Sequence, residues 1–469
     1  MTRLLSRLLL AILASAAPLG STATAAEPTP APSPTAAANE TGAERLHRKG
    51  VHCMEVIERS ECAIEHFEAL LDEDTRQREL VTDALLRLMT LYRREGRTDE
   101  IGPLLRRFWD AGGGRRSKGH VPYSARFMPS ELDMLINLDP PRVTSSAMLE
   151  RSDDLGEYLF TCDEVRRKDI EMEHRWRRAA TLAAAQGRET WEVFYEELDQ
   201  EWERDAKREA RQQGRSEQEQ QRDMAPLVFE VACPLVEALQ LGDNRGYRRM
   251  TGASHHRERN KVVAIFQIDD LDTKLAAAAA AGRLVPDGPG HWRLPEFEYG
   301  KQTIRLASLD KDELVAAPAA MLSTMEQASG KRRRQMNREL ARLVDEVPKD
   351  TAMFVVLNQA ALRELGFGGM ERRSVRSVLE ALLPRPKGLQ VAAIIGPAIG
   401  MFTRVPTESA VRGRMLVSLA NTMLARSTED DPEAAKWLDG LDVAEASDRK
   451  ALLASYVITL ARLEEILWD

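Results

Sequence analysis

From Leu46 onward, apolar residues recur at helical spacing. The sets are Leu46, Cys53, Met54 and Ile57; then Ala63, Ile64, Phe67, Leu70 and Leu71; then Leu80, Val81, Ala84, Leu85, Leu88, Leu91 and Tyr92. Each set lines one face of a 3.6-residue helix, so the pattern predicts successive packed helices with a turn at 58–60. Within 129–138, Leu132, Met134 and Leu135 predict a short helix. Trp191, Phe194, Tyr195, Leu198 and Trp202 mark a further helical stripe, read as core rather than as a docking face. Residues 203–223 are almost wholly polar, too poor in apolar groups to bury, and are read as a protruding helix or linker that stops before Pro226.

Beyond residue 225 helical spacing resumes over 227–241, and then the period changes. Val262, Val263, Ala264, Ile265, Phe266 and Ile268 form an apolar run between charged residues, the pattern of a buried strand. Asp269 and Asp270 are placed to cap an Ala-rich helix over 271–281, which Gly282 stops. Extended pieces are expected over His291–Tyr299 and 303–308, followed by 314–317 and a long helix from Pro318 towards Val347. A second pass has the same order: a strand over 352–357, helices through Leu365 and over 375–383, a hairpin of 389–395 and 401–405 across Gly396-Pro397, and a helix over 410–426. Helices over 434–438 and 447–466 complete the chain. The expected fold is α+β and predominantly helical. N-terminal helical hairpins precede two strand–helix–strands–helix units that share one mostly antiparallel sheet, with helices packed on one face.

Two stretches of the first part are alike, since Ala63, Phe67 and Leu70 recur as Ile101, Leu105 and Phe108 at an offset of 38 residues. Leu85, Leu88, Met89, Tyr92, Gly96, Ile101, Leu105 and Phe108 fall at the spacing of packing positions in a helical hairpin with Gly96 at its turn, and residues 44–111 resemble a tetratricopeptide repeat. Gly102-Pro103 in the first turn of the second helix and the 38-residue offset depart from that family's pattern. The resemblance implies a stacked helical scaffold of the kind that binds proteins or peptides; an ordinary helical bundle is the competing reading.

The first residues carry Arg3 and Arg7, an apolar run over 8–14 and small residues ending in Ala25-Ala26, the order of a secretory signal peptide spanning 1–26. The run is shorter than the roughly 20 residues a membrane span needs, and no transmembrane anchor is expected. Residues 27–42 are rich in Pro and Ala and read as a disordered linker. The remainder divides into a helical repeat-like domain, 43–225, and an α+β domain, 226–469. The product is expected to be exported, to a periplasm in the simplest case or beyond the cell. In such a compartment Cys53, Cys62, Cys162 and Cys233 form disulfides, with Cys53 paired to Cys62 and Cys162 to Cys233 as the favoured pairing among three. Closing the longer loop stabilises by about 4 kcal/mol in the chain-entropy picture.

Composition narrows the function without naming it. A net charge of −8 gives no general attraction to nucleic acid, and none is expected as a partner. The chain contains no nucleophile elbow, phosphate-binding loop, zinc-protease motif or dinucleotide fingerprint, so no catalytic residue, cofactor or metal is assigned. Three constellations carry candidate chemistry. His255-His256 with Glu258 has metal-ligand chemistry, Glu296 and Glu298 share one side of a strand, and 331–334 (Lys-Arg-Arg-Arg) is the densest basic run, suited to an anionic ligand. Each reads more simply as a solvated surface. The expected function is therefore an exported, non-catalytic interaction or scaffold protein that binds another envelope protein or peptide, with no partner-facing residue assigned. The alternative is a hydrolase or small-ligand binder with a site in the C-terminal domain.

Overall fold

A computed structural model describes residues 40–463 apart from 74–76, 113–120, 151, 197, 200–225, 259, 300–301, 350, 363–385, 431–439 and 461. The signal segment, most of the linker, Trp202, the polar run 203–223 and the expected helices over 375–383 and 434–438 lie outside the described residues.

The chain begins with α1 (Gly42–Glu55), α2 (Ser60–Asp72), α3 (Arg78–Arg94) and α4 (Ile101–Gly112). Thr41 caps α1 by accepting from the Glu44 backbone, and the Glu44 carboxylate accepts from the Thr41 backbone in return. The end of the expected linker is thus part of a helix cap. A left-handed Glu58 turns the chain between α1 and α2, and Cys53 is bonded to Cys62 across that turn. Gly50 lets α1 approach α2 closely, since a β-carbon there would lie 2.6 Å from the Phe67 ring. These helices pack in pairs, α1 on α2 and α2 on α3, an arrangement compatible with helical repeats.

Met134–Leu138 is not a helix but a strand, β1, with β2 (Tyr247–Ser254) and β8 (Met353–Asn358) antiparallel on its two sides. Leu135 packs into the core on one face of the sheet, and Ile136 and Leu138 into the core on the other. A short apolar run fits either period, and here pairing on both edges selects the strand. After β1 come α5 (Pro140–Thr144), α6 (Ala147–Glu150), α7 (Asp153–Phe160) and the long α8 (Glu164–Gln186). Residues 190–196 return as a helix against α8 and bury Val193 and Phe194 with Ala179 and Ala183 in a small core of their own. The expected aromatic stripe therefore splits. Phe194 is buried, while Trp191 and Tyr195 are 54% and 59% exposed.

Two short helices, α9 (Leu227–Glu230) and α10 (Ala232–Leu239), lead into β2, which carried no clear signal in the sequence. The strand at Val262–Ile268 is β3, as its pattern predicts. Then follow α11 (Leu271–Ala280), β4 (Val285–Pro286), β5 (His291–Tyr299), β6 (Gln302–Asp310), β7 (Glu313–Pro318), α12 (Ala319–Gly330) and α13 (Arg338–Asp345). Asp270 precedes α11 in a left-handed conformation and makes no side-chain cap bond. The long helix expected from Pro318 is two helices, because the chain reverses after Gly330 through a left-handed Arg332 and restarts where the Asn337 side chain accepts from the Glu339 and Leu340 backbone. Beyond β8 lie α14 (Gln359–Leu362), β9 (Gly388–Ile395), β10 (Ile399–Pro406), α15 (Ala410–Asp430), β11 (Leu441–Glu445) and β12 (Ala451–Ile458). The last corrects the helix expected over 447–466, since Ala451–Ile458 pairs with β10 along its whole length.

The twelve strands among the described residues form one antiparallel sheet, in the order β11-β12-β10-β9-β8-β1-β2-β3-β7-β6-β5-β4. Consecutive residues of β3 alternate between two cores, Val262, Ala264 and Phe266 facing one side and Val263 and Ile265 the other. Both faces of the sheet are therefore covered, where the sequence suggested one helical layer: α1–α4, α12 and α13 lie on one side, and α5–α7, α9–α11 and α14 on the other. A continuous apolar run is the pattern of a strand buried on both faces. The expected domain boundary at 225 falls between β1 and β2, which are neighbours in the sheet.

Candidate functional site

An open cleft of about 1140 Å³ lies between the segment leading into β1 and the segment joining α12 to α13. One wall holds Pro129, Ser130 and Glu131, and the other holds Arg333, Arg334, Asn337, Arg338 and Arg342. Local structure fixes the arginine wall. The backbone N–H groups of Gln335 and Met336 donate to the Arg126 carbonyl at 2.9 and 3.3 Å, and Met336 is buried. Asn337 Nδ2 reaches across to the Ser130 carbonyl at 3.3 Å. Arg126 lies over the Tyr123 ring, 3.7 Å from its centroid, and the turn Tyr123–Phe127 is anchored in turn by Glu313. The Glu313 carboxylate accepts from the Tyr123 and Ser124 backbone at 2.6 and 2.7 Å and from Gln267 Nε2 at 3.0 Å.

On sequence pattern the basic run is expected to be a solvated helix face. It is instead a pinned loop that feeds the cleft with guanidinium groups. Arg342 sits 3.9 Å from Glu346, whereas Arg333, Arg334 and Arg338 are exposed and have no ion-pair partner among the described residues. Guanidinium groups clustered in this way suit a carboxylate or phosphate, which each can hold through two parallel hydrogen bonds. Glu131 and Asp345 also line the cleft, so the positive field is concentrated at the 333–338 end. No histidine or cysteine lines the cleft among the described residues; its titratable acids are Glu131 and Asp345.

His255 and His256 sit in the turn between β2 and β3, close to the Glu131 wall. Asp133, not Glu258, joins them. The buried Asp133 carboxylate accepts from the His256 backbone at 2.9 Å through Oδ1 and from His256 Nδ1 through Oδ2. Glu258 instead pairs with Lys261 at 3.0 Å, which holds its carboxyl below the usual range. Although ligand atoms of Asp133, His255 and His256 approach one another, the chemistry does not fit a shared ion. His255 Nδ1 accepts from the Arg257 and Glu258 backbone at 3.2 and 3.0 Å, so a neutral ring carries its proton on Nε2 and has no free lone pair there. The two rings also stack at 4.6 Å and 24°, face to face rather than aimed at one point. The cluster reads as a clamp that holds the β2–β3 turn on the start of β1.

Glu296 and Glu298 are exposed beside a register shift in β5, and Glu296 is left-handed, so they form no enclosed pair. Cys162 and Cys233, expected as a disulfide, stand as half-buried thiols. The cleft was missed as a site because it depends on residues around 130 and 337 that only the fold brings together. The basic run was its one sequence signal. No family model matches the chain, and neither a curated protein nor a solved structure matches it.

Proposed function

We propose that the chain is an exported, non-catalytic interaction protein of the cell envelope that holds an acidic segment of a partner protein in the arginine-lined cleft. The observation that carries this reading is the wall of Arg333, Arg334 and Arg338, three guanidinium groups without ion-pair partners among the described residues, on a pinned loop and the first turn of α13 in an otherwise acidic chain. An open cleft of this size accommodates several residues of an extended chain better than it encloses a small molecule. Charge on its walls gives orientation and a fast, salt-sensitive encounter. The paired N-terminal helices lie on the same side of the sheet as α12 and α13 and extend the available surface. Export rests on the signal-like segment 1–26.

A fluorescent oligoglutamate peptide titrated against the mature protein tests the assignment. Binding should weaken steeply between about 50 and 200 mM salt, as expected where exposed charges are screened. The double reversal Arg333→Glu and Arg338→Glu should abolish binding, while Arg257→Glu, on the β2–β3 turn, should leave it within twofold. Equal binding by the double reversal and the parent would sink the proposal, as would no binding by the parent at 50 mM salt.

A further inference from the structure

Cys162 lies in the short joint between α7 and α8, and Cys233 is the second residue of α10. Their thiols hydrogen-bond each other. Both pack against the same core beneath the sheet. Each is held by a fixed neighbour: on one side Asp163 caps α8 by accepting from Val165 and Arg166 at 2.9 and 3.1 Å, and on the other the buried Tyr247 hydroxyl donates to the Ala232 carbonyl at 2.5 Å. The two sulfurs are therefore presented to each other by elements already fixed in place.

In sequence Cys162 and Cys233 bracket α8 and the helix at 190–196, so a bond between them would close a neck at the base of that hairpin. The helical hairpin formed by α8 and 190–196 closes on its own small core of Ala179, Ala183, Val193 and Phe194, separate from the two cores of the sheet. The first half of α8 is already held on the body by Ile170 in the main core and by Arg166 on Glu157 and Arg177 on Asp154, each at 2.7 Å, and a bond at its base would add to these contacts.

We propose that Cys162 and Cys233 are joined in the exported protein by a second disulfide that clamps this neck and fixes the α8 hairpin on the body. Each thiol gives up its proton, the two sulfur atoms form one bond, and two electrons pass to an oxidised thiol–disulfide oxidoreductase, which leaves as its dithiol. Burial, with the Cys233 hydrogen bond added to it, pushes the Cys162 thiol well above the usual thiol range. Little thiolate is then available for exchange in the folded state, so the bond forms before the neck is fully packed. This inference is independent of what occupies the cleft.

Non-reducing peptide mapping of the full chain recovered from an oxidising compartment, with thiol counting in denaturant, tests it directly. The expected result is a cross-linked peptide pair containing Cys162 and Cys233 beside the Cys53–Cys62 pair, with no titratable thiol. Two thiols per chain in denaturant, or any other pairing, would overturn it. The double variant Cys162→Ser/Cys233→Ser should raise amide exchange at least tenfold in residues 164–196 relative to the oxidised parent, with strands β1–β3 unchanged. Unchanged exchange in the hairpin would refute the clamp, and if the variant does not fold, the mapping of the parent decides.

Discussion

Arg87 is buried between α1 and α3, its side chain 6% exposed, and it reaches Asp83 at 2.7 Å and Glu55 at 2.8 Å. Asp83 also accepts from the His47 ring at 2.5 Å. In the sequence Asp83 and Arg87 look like an ordinary i,i+4 surface pair, because nothing local reveals that α3 is enclosed between α1 and the sheet. Burial alone would raise the Asp83 carboxyl, but the His47 hydrogen bond and the Arg87 charge outweigh it and hold the group below the ordinary carboxylate range. A depressed folded value means that the stabilisation is fully present above the unfolded value, near 4, and is lost as pH falls through the lower folded value. Asp83→Asn should therefore destabilise by about 1–3 kcal/mol at pH 7, the scale for losing a hydrogen bond to a charged group, since Arg87 keeps Glu55. The gap between variant and parent should shrink below about pH 4, where the parent carboxylate itself becomes protonated. Urea denaturation at pH 7 and pH 3 measures both; a gap that is constant across that range would mean the carboxylate is not the stabilising group.

Glycines show how closely the elements approach. A β-carbon at Gly413 in α15 would lie 2.2 Å from the Arg449 carbonyl oxygen, a backbone atom in the β11–β12 turn that cannot swing aside as a side chain can. Gly413→Ala should cost about 1–3 kcal/mol through this overlap. Gly156 in α7 meets nothing within 4 Å, and Gly156→Ala should instead stabilise by about 0.4–1 kcal/mol by restricting the unfolded chain. Paired chemical denaturation curves of the two variants decide; equal midpoints would show that α15 does not rest on that turn. The elements legible in the sequence were those with one unambiguous period. β3, β8 and the β9–β10 hairpin are apolar runs broken by turn residues, and Gly282, left-handed at φ 71°, ends α11 as its position implied. Ala451–Ile458 misled because Ala and Leu favour a helix locally, while its pairing with β10 and with β11 selects an extended chain. At β2, Arg248 and Arg249 break the apolar run, so neither period stood out. The cleft was legible only as charge, since Ser130 and Asn337 meet across it by no local rule.

The integration of the whole molecule follows from where β1 sits. Residues 134–138 occupy the middle of the sheet, paired to β2 on one edge and to β8 on the other, so the sheet is assembled from chain segments more than a hundred residues apart. No local pattern specifies such an order, which is why composition and period suggested separable parts at residue 225. The N-terminal helices carry the same message. Leu86 of α3 packs against Gly400 of β10, Phe108 of α4 stacks on Phe402 at 4.2 Å, and Arg93 pairs with Asp442 of β11. Cutting the chain at 225 would strip β1 of both neighbours and uncover the apolar faces of α3 and α4, leaving two open strand edges prone to association. Fragments 43–225 and 226–469 should each fail to unfold cooperatively and should aggregate on size exclusion, whereas refolding them together should restore the circular dichroism of the intact protein. Cooperative unfolding of 43–225 alone would show that its helices form a self-sufficient core. The sheet would then be a surface they rest on rather than the framework they complete.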